Sequence, residues 1–294
     1  MPQPLVQSYP GMRTLPLATL LFAAVALVGA PLGTAHAERR GIFPGEGFTF
    51  SLSMGPITGA RARMVVGDPV ERNGRSVVFV QGQAETLSIV KLVAPMSASY
   101  VLTLDAGTLA PREIVSDEKG LHENNFHSFL DGKKLDIDIA TPRGKRHQAR
   151  VLSREPRDPI AAYFALRASD LANGAAYDLD VLDGAALWRC HLVVKGREPL
   201  VLGDDPEHPK PAVDAIHLEG RLERIDDAAR PIGRPLRTIA LWITDDASRV
   251  LLRTTFDSDL GKAKLDLTSY VPPARKTRTP KANTTLPGIQ VGTR

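Results

Sequence analysis

Residues 126–140 read FHSFLDGKKLDIDIA, and this stretch decides the fold class. Its second half alternates without a break. Ile137 and Ile139 fall on one face, Asp136 and Asp138 on the other, which is the period-two pattern of a half-buried strand. Asp131-Gly132 separates that strand from FHSFL, and such a dipeptide favours a tight hairpin turn because glycine tolerates a left-handed backbone. The same grammar extends outward in both directions. Glu46–Met54 places Phe48, Phe50, Leu52 and Met54 on one face, Gly55-Pro56 interrupts, and ITGARARMVV follows. Asn73-Gly74 is a second turn signal, leading into RSVVFVQGQ. ASYVLTLD, LAPREIVSD and the more polar KRHQARVLS continue the series. Later come AAYDLDVLDG, ALWRCHLVV, EPLVL, DAIHLEGRLERI, PLRTIALWIT, RVLLRTTFDS and KAKLDLTSY. The pattern predicts roughly twelve to fourteen strands, largely antiparallel.

A single helix stands out near the middle. Asp158 can cap it, Pro159 fits its first position, and IAAYFALRASDL follows, with Ile160, Tyr163, Phe164 and Arg167 on roughly one side. Strands and helices do not alternate, which argues against a doubly wound fold. The expected architecture is mainly β: a strongly curved antiparallel sheet or partial barrel with one central helix packed against it. A two-sheet sandwich is the alternative.

The termini point to export. Arg13 precedes the apolar run LPLATLLFAAVALVGAPLG, and Ala35-His36-Ala37 follows. This is the layout of a secretion signal cleaved after Ala37, and the run is too short to favour a permanent span. The periplasm is the expected location, with the exterior as its alternative. Residues 38–270 are expected to form one β-rich domain, and residues 271–294 a disordered basic tail. That tail, VPPARKTRTPKANTTLPGIQVGTR, has four prolines and no acidic residue, and little to bury. Its cations suit a weak contact with anionic lipid or cell-wall polymer. The whole chain carries 37 basic against 33 acidic residues, a formal charge of +4, too mild to signal a polyanionic partner. Aromatic residues make up 5% and are not interleaved with a basic patch, so nucleic acid is not an expected partner. The one cysteine, Cys190, rules out an internal disulfide. It alternates in phase with Trp188, Leu192 and Val194, as a core filler does.

Candidate sites are few. LWITDDASRVLLR, residues 241–253, places Asp245 and Asp246 between two apolar segments. Adjacent carboxylates in a turn diverge, whereas glycoside hydrolysis needs two held at least about 5 Å apart across a bond; the hairpin reading is preferred. LHENNFH spaces His122 and His127 one residue too far apart for a zinc-peptidase motif. In a strand that offset puts them on opposite faces. GDDPEHPKP, residues 203–211, gathers Asp204, Asp205, Glu207 and His208 in a loop that reads as a solvated connection. No phosphate loop, CxxC pair or G-x-S-x-G elbow occurs, and no metal or other cofactor is implied. Arg167 lies beside the apolar side of the helix and therefore needs a partner. The expected one is a strand end or a returning carboxylate near the 245–246 turn.

Three pieces in order, FPGEGFTFSLSMGPITGARARM, RDPIAAYFALR and ALWITDDASRVLLR, resemble the bacterial secreted family called domain of unknown function 3108. Its members combine an early G-E strand, a D-P helix with Y-x-x-R, and a late W-x-x-D turn. Gly45, Glu46, Asp158, Tyr163, Arg167, Trp242 and Asp245 match those positions, and the likeness spans about residues 42–270. The chain departs in having Val250-Leu251 where such proteins often have a proline. The family carries no activity to transfer, so these residues are expected to be structural.

Three functional readings follow. The first is a non-enzymatic periplasmic or cell-envelope protein whose curved sheet binds an apolar ligand, either a lipid or a lipoprotein-like segment. The second is a structural or assembly factor that binds envelope proteins by a strand edge or surface patch. The third is an enzyme acting on polysaccharide or peptidoglycan, which needs a polar cleft with facing carboxylates.

Overall fold

The computed structural model describes residues 41–120, 123–203, 211–233, 235–258 and 261–273. The expected secretion signal, His122, the loop residues 204–210 and the tail beyond 273 lie outside the described residues. Among the described residues the chain forms one antiparallel sheet of 15 strands and two helices. The first half contains β1 (Gly47–Met54), β2 (Ile57–Val66), β3 (Val70–Arg72), β4 (Arg75–Thr86), β5 (Ser97–Asp105), β6 (Pro111–Lys119), β7 (Asn124–Asp131), β8 (Lys134–Thr141) and β9 (Gly144–Val151). After helix α2 come β10 (Ala176–Asp183), β11 (Ala186–Leu200), β12 (Val213–Ile225), β13 (Arg237–Thr244), β14 (Leu251–Ser258) and β15 (Gly261–Val271). Helix α1 (Ser88–Val93) is a short element between β4 and β5, and α2 (Pro159–Ala168) lies between β9 and β10.

The strand order is β10-β11-β12-β13-β14-β15-β1-β2-β4-β5-β6-β7-β8-β9, with β3 pairing only β4. Two hairpin meanders are thus joined along β1 and β15, and β9 and β10 form the two ends. A sheet this wide cannot stay flat, because strand twist accumulates and open sheets beyond about ten strands curl. Bulges sharpen the bending. One of them, between Val194 and Gly196, lets β11 continue through what reads in sequence as two separate strands. The curved sheet with a central helix is therefore the observed architecture. The sequence-level reading differs in omitting β3 and α1, both too short to show a period.

The FHSFL–KLDIDIA hairpin is β7–β8. Asp131 pairs with Lys134 across Gly132, which takes φ +59°. Leu135, Ile137 and Ile139 are buried while Asp136 and Asp138 are exposed. The inward residues of the strands, β3 and β9 excepted, form one apolar cluster around α2. The helix is more enclosed than its one-sided pattern implies. Ile160, Ala161, Ala162, Tyr163, Phe164 and Leu166 are all buried, because the connection between the sheet's two ends runs through its concave side.

Candidate functional site

Asp158 ends an extended segment and accepts hydrogen bonds from the backbone N–H groups of Ile160 (2.7 Å) and Ala161 (3.1 Å). This is the N-cap expected of an Asp-Pro start. The other end of α2 carries Arg167, and its surroundings come from four separate parts of the chain. Gly45, at φ +85°, turns the chain so that Glu46 enters the interior fully buried. The Arg167 guanidinium donates from Nη1 and Nη2 to the two Glu46 oxygens, both at 2.8 Å. Its Nε donates to the Ser248 carbonyl at 3.0 Å. Tyr270 Oη donates to Glu46 Oε1 at 2.6 Å. The rings of Phe43 and Tyr163 lie 4.9 and 5.3 Å from the guanidinium carbon. Burial lowers the Arg167 pKa, but neighbouring Tyr163 and the Glu46 carboxylate outweigh it and hold the value above normal. Tyr163 Oη donates to the Arg249 carbonyl and accepts from Leu251 N–H at 2.9 Å. Burial pushes its pKa up to about 12.

The matching positions therefore divide. Gly45, Glu46, Tyr163 and Arg167 converge, while Asp158 caps the far end of the same helix. Trp242 and Asp245 stay outside that cluster. Trp242 stacks on His217 with ring centroids 4.5 Å apart and donates from Nε1 to Glu198. Asp245 pairs with Arg197 at 2.7 Å. Asp246 organises the turn instead, its Oδ1 accepting from Thr244 Oγ1 (2.8 Å), Ser248 N–H (2.9 Å) and Arg249 N–H (3.0 Å). Burial raises the Asp246 pKa, but a bond from the Ser248 hydroxyl at 2.5 Å, together with these three, overcomes it and holds the carboxyl below its usual range. The hairpin reading of the two aspartates describes this geometry. The carboxylate that Arg167 meets is Glu46, and its contact with the late turn is the Ser248 carbonyl.

A second polar region surrounds the N-terminus of α2. Tyr100, Ser116, Glu118 and Ser128, from β5–β7, share a small cavity of about 30 Å³ with Asp158 and Asp183. The tip of the β10–β11 hairpin closes it, with Gly184 against the Phe126 ring. Tyr100 Oη donates to Asp158 Oδ2. Burial pushes the Asp158 pKa up to about 6, against the hydrogen bonds from Tyr100, Ala161 and Ile160 that lower it. Burial, then the charge of Glu118, raises the Asp183 pKa well above the usual range. The space admits roughly two water molecules; a sugar ring does not fit. Sequence reasoning passed over Tyr100, Glu118 and Asp183. The available signal was their phase, since each falls where its strand should present an apolar residue.

The remaining notable geometry is at the surface. His127 pairs with Glu113 at 2.9 Å. Among the described residues no three His, Cys, Asp or Glu side chains are arranged to hold a metal ion. A groove of about 580 Å³ runs over β6–β9, lined among others by Val115, Phe126, Ile139, Ala140, Lys145 and Arg146. Beside it β9 ends the sheet. Among the described residues no backbone hydrogen bond reaches residues 144–151 from any strand but β8.

The sequence model of the family described as Protein of unknown function (DUF3108) matches residues 49–268. No curated protein matches. Among solved structures, a β-barrel-like protein of domain of unknown function DUF1849 from Brucella abortus is similar, with 12% identity, a TM-score of 0.47, and coverage of 78% of this chain and 97% of that one. A Bacteroides fragilis protein provisionally described as exported, with a YmcC-like fold, shows 7% identity and a TM-score of 0.32 over 78% and 98% of the two chains.

Proposed function

We propose that this chain, which belongs to the DUF3108 family of proteins of unknown function, is a non-enzymatic protein of the cell envelope that binds an envelope partner by extending its sheet at β9. The observation that carries the reading is the outer edge of β9, which no strand among the described residues pairs. An exposed row of backbone donors and acceptors is a ready template for another strand. The neighbouring groove on β6–β9 supplies side-chain contacts, and Phe129 and Val151 are exposed on the same convex face, 44% and 74%. The export signal supports the compartment.

The interior supports a scaffold role. An apolar ligand on the concave side, which export and many strands favour at the sequence level, would have to displace α2, whose Ile160, Tyr163 and Phe164 are buried there. An enzyme would need its facing carboxylates open to a polymer, whereas the Asp158–Asp183 chamber is closed to anything larger than water. The test is a photo-crosslinking residue placed at His147 of β9 and, as a control, at Arg61 of β2, in cells expressing the full chain. A discrete crosslinked partner from position 147 that is absent from position 61 is the expected result. Equal labelling at both positions would remove β9 as the docking site.

A further inference from the structure

The hydrogen-bond phase of β9 specifies what can pair with it. Thr141 and Gly144 pair across the two-residue loop Pro142-Arg143, and Leu152 N–H donates to the Lys133 carbonyl. Both observations assign Gly144, Arg146, Gln148 and Arg150 to the ladder with β8. The backbone groups of Lys145, His147, Ala149 and Val151 therefore point outward along the free edge. The side chains of those four share the convex face with their cross-strand neighbours Asp138 and Asp136. Arg146, opposite buried Ile139, projects from the concave face.

Charge is unevenly spread along this edge. His147 is paired with Asp138 at 2.9 Å, and Arg150 is held by Asp227 and the Ala185 carbonyl. Arg143, Lys145 and Arg146 are exposed and form no ion pair among the described residues. Lys145 and Arg146 are neighbours in sequence on opposite faces, so an added strand meets one cation above the sheet and one below. Farther along, Ala149 and exposed Val151 offer an apolar convex surface. A second copy of β9 carries no carboxylate to set opposite these cations, and the chain's own tail beyond residue 273 is basic. Neither suits the edge.

Building on the proposed role of β9, we infer that the edge selects an acidic, extended segment of another protein, with adjacent carboxylates opposite Lys145 and Arg146 and two apolar side chains opposite Ala149 and Val151. Backbone bonds supply strand addition, and the carboxylates set partner choice.

The test uses the chain from residue 38 onward with labelled Val-Thr-Val-Thr-Thr-Glu-Glu, its reversed sequence, and the two counterparts with Lys-Lys in place of Glu-Glu. Fluorescence anisotropy gives affinity, and hydrogen exchange gives the site. The expected result is that a Glu-Glu peptide binds on the order of tenfold tighter than its Lys-Lys counterpart, weakens with salt, and protects the amides of residues 145, 147, 149 and 151. Lys145→Glu with Arg146→Glu should reverse that preference. Ala149→Pro, which removes an outward N–H without touching the β8 ladder, should abolish binding of either peptide while leaving the melting temperature within a few degrees of the parent. Equal protection of β9 by both charge types would overturn acid selection and leave the edge reading intact. No protection of β9 by any peptide, with no partner crosslinked at position 147, would remove both. Self-association through β9 in sedimentation, abolished by Ala149→Pro, would make the edge an interface between copies and overturn the inference.

Discussion

The two ends of helix α2 are buried to similar depth but solve the problem of buried charge in opposite ways. At the Arg167 end a cation meets a carboxylate, a tyrosine hydroxyl and a backbone carbonyl, and aromatic rings complete the enclosure. At the Asp158 end three acids share one chamber: Asp158 is met by the Tyr100 hydroxyl and two backbone N–H groups, and the charges of Arg224 and Arg237 only partly offset the raised pKa of Asp183. A paired charge resists any change of protonation, whereas carboxyls packed together lower their energy by taking up protons. The Asp158 end is therefore sensitive to pH.

The largest test of this contrast removes one partner of the pair. Arg167→Met strands a buried carboxylate and should lower stability by about 3–5 kcal/mol, read from urea unfolding. Adding Glu46→Met should recover at least half of that loss, because two apolar side chains need no partner. Failure of the double variant to recover would mean that the Ser248 and Tyr270 bonds carry the lock.

Next in size is the pH response of the opposite end. The folded pKa of Asp158, about 6, exceeds the ordinary value near 3.9, so the folded state binds this proton more tightly. Its contribution favours folding below about pH 4 and is lost as pH rises through 6, on the order of 2–3 kcal/mol. The raised pKa of Asp183 extends the loss to higher pH. Asp246 acts in the other direction: its depressed pKa gives stability above its unfolded value that is lost as pH falls. Asp158→Asn keeps the N-cap and the Tyr100 contact yet removes the titration. Urea midpoints for parent and variant should converge near pH 4 and separate toward pH 7, with the variant more stable. Parallel curves would show that the chamber does not titrate in this range.

The smallest effects lie in the late turn, and they separate adjacent residues. Asp246→Ala removes four hydrogen bonds, two of them from backbone N–H groups, and should cost about 1–2 kcal/mol. Asp245→Ala breaks only a half-exposed pair with Arg197 and should stay within about 0.5 kcal/mol. Thermal melts of the two variants would rank them, and equal losses would show that the turn depends on both.

Most strands were legible because the sheet has one wet and one dry face, so alternation marks each strand and Gly or Asn-Gly marks the turns. The motif helix was legible for a different reason: Asp158 and Pro159 announce its start locally. Partners were not legible. Glu46 and Arg167 are 121 positions apart, and only the path of the rolled sheet brings them together, which is why the partner was sought at Asp245 or Asp246. The acidic chamber was hidden in another way. Glu118 and Asp183 occupy inward positions, so they look like lapses in a pattern until the sheet curls and faces them toward each other. The polarity of KRHQARV was readable as an exposed strand, but that no strand among the described residues lies along its outer edge is a property of strand order.

The joint between β1 and β15 carries a kinetic consequence. It unites strands from opposite ends of the described chain, and the Tyr270–Glu46 bond spans 224 positions. Each meander is built from near neighbours, whereas this joint must close a very long loop, and such contacts form slowly. A chain made from its N-terminus therefore waits with β1 bare on one side until β15 arrives. Protease resistance should appear in one late step, and any chain cut short before β15 leaves the arginine lock incomplete and the first strand open to digestion.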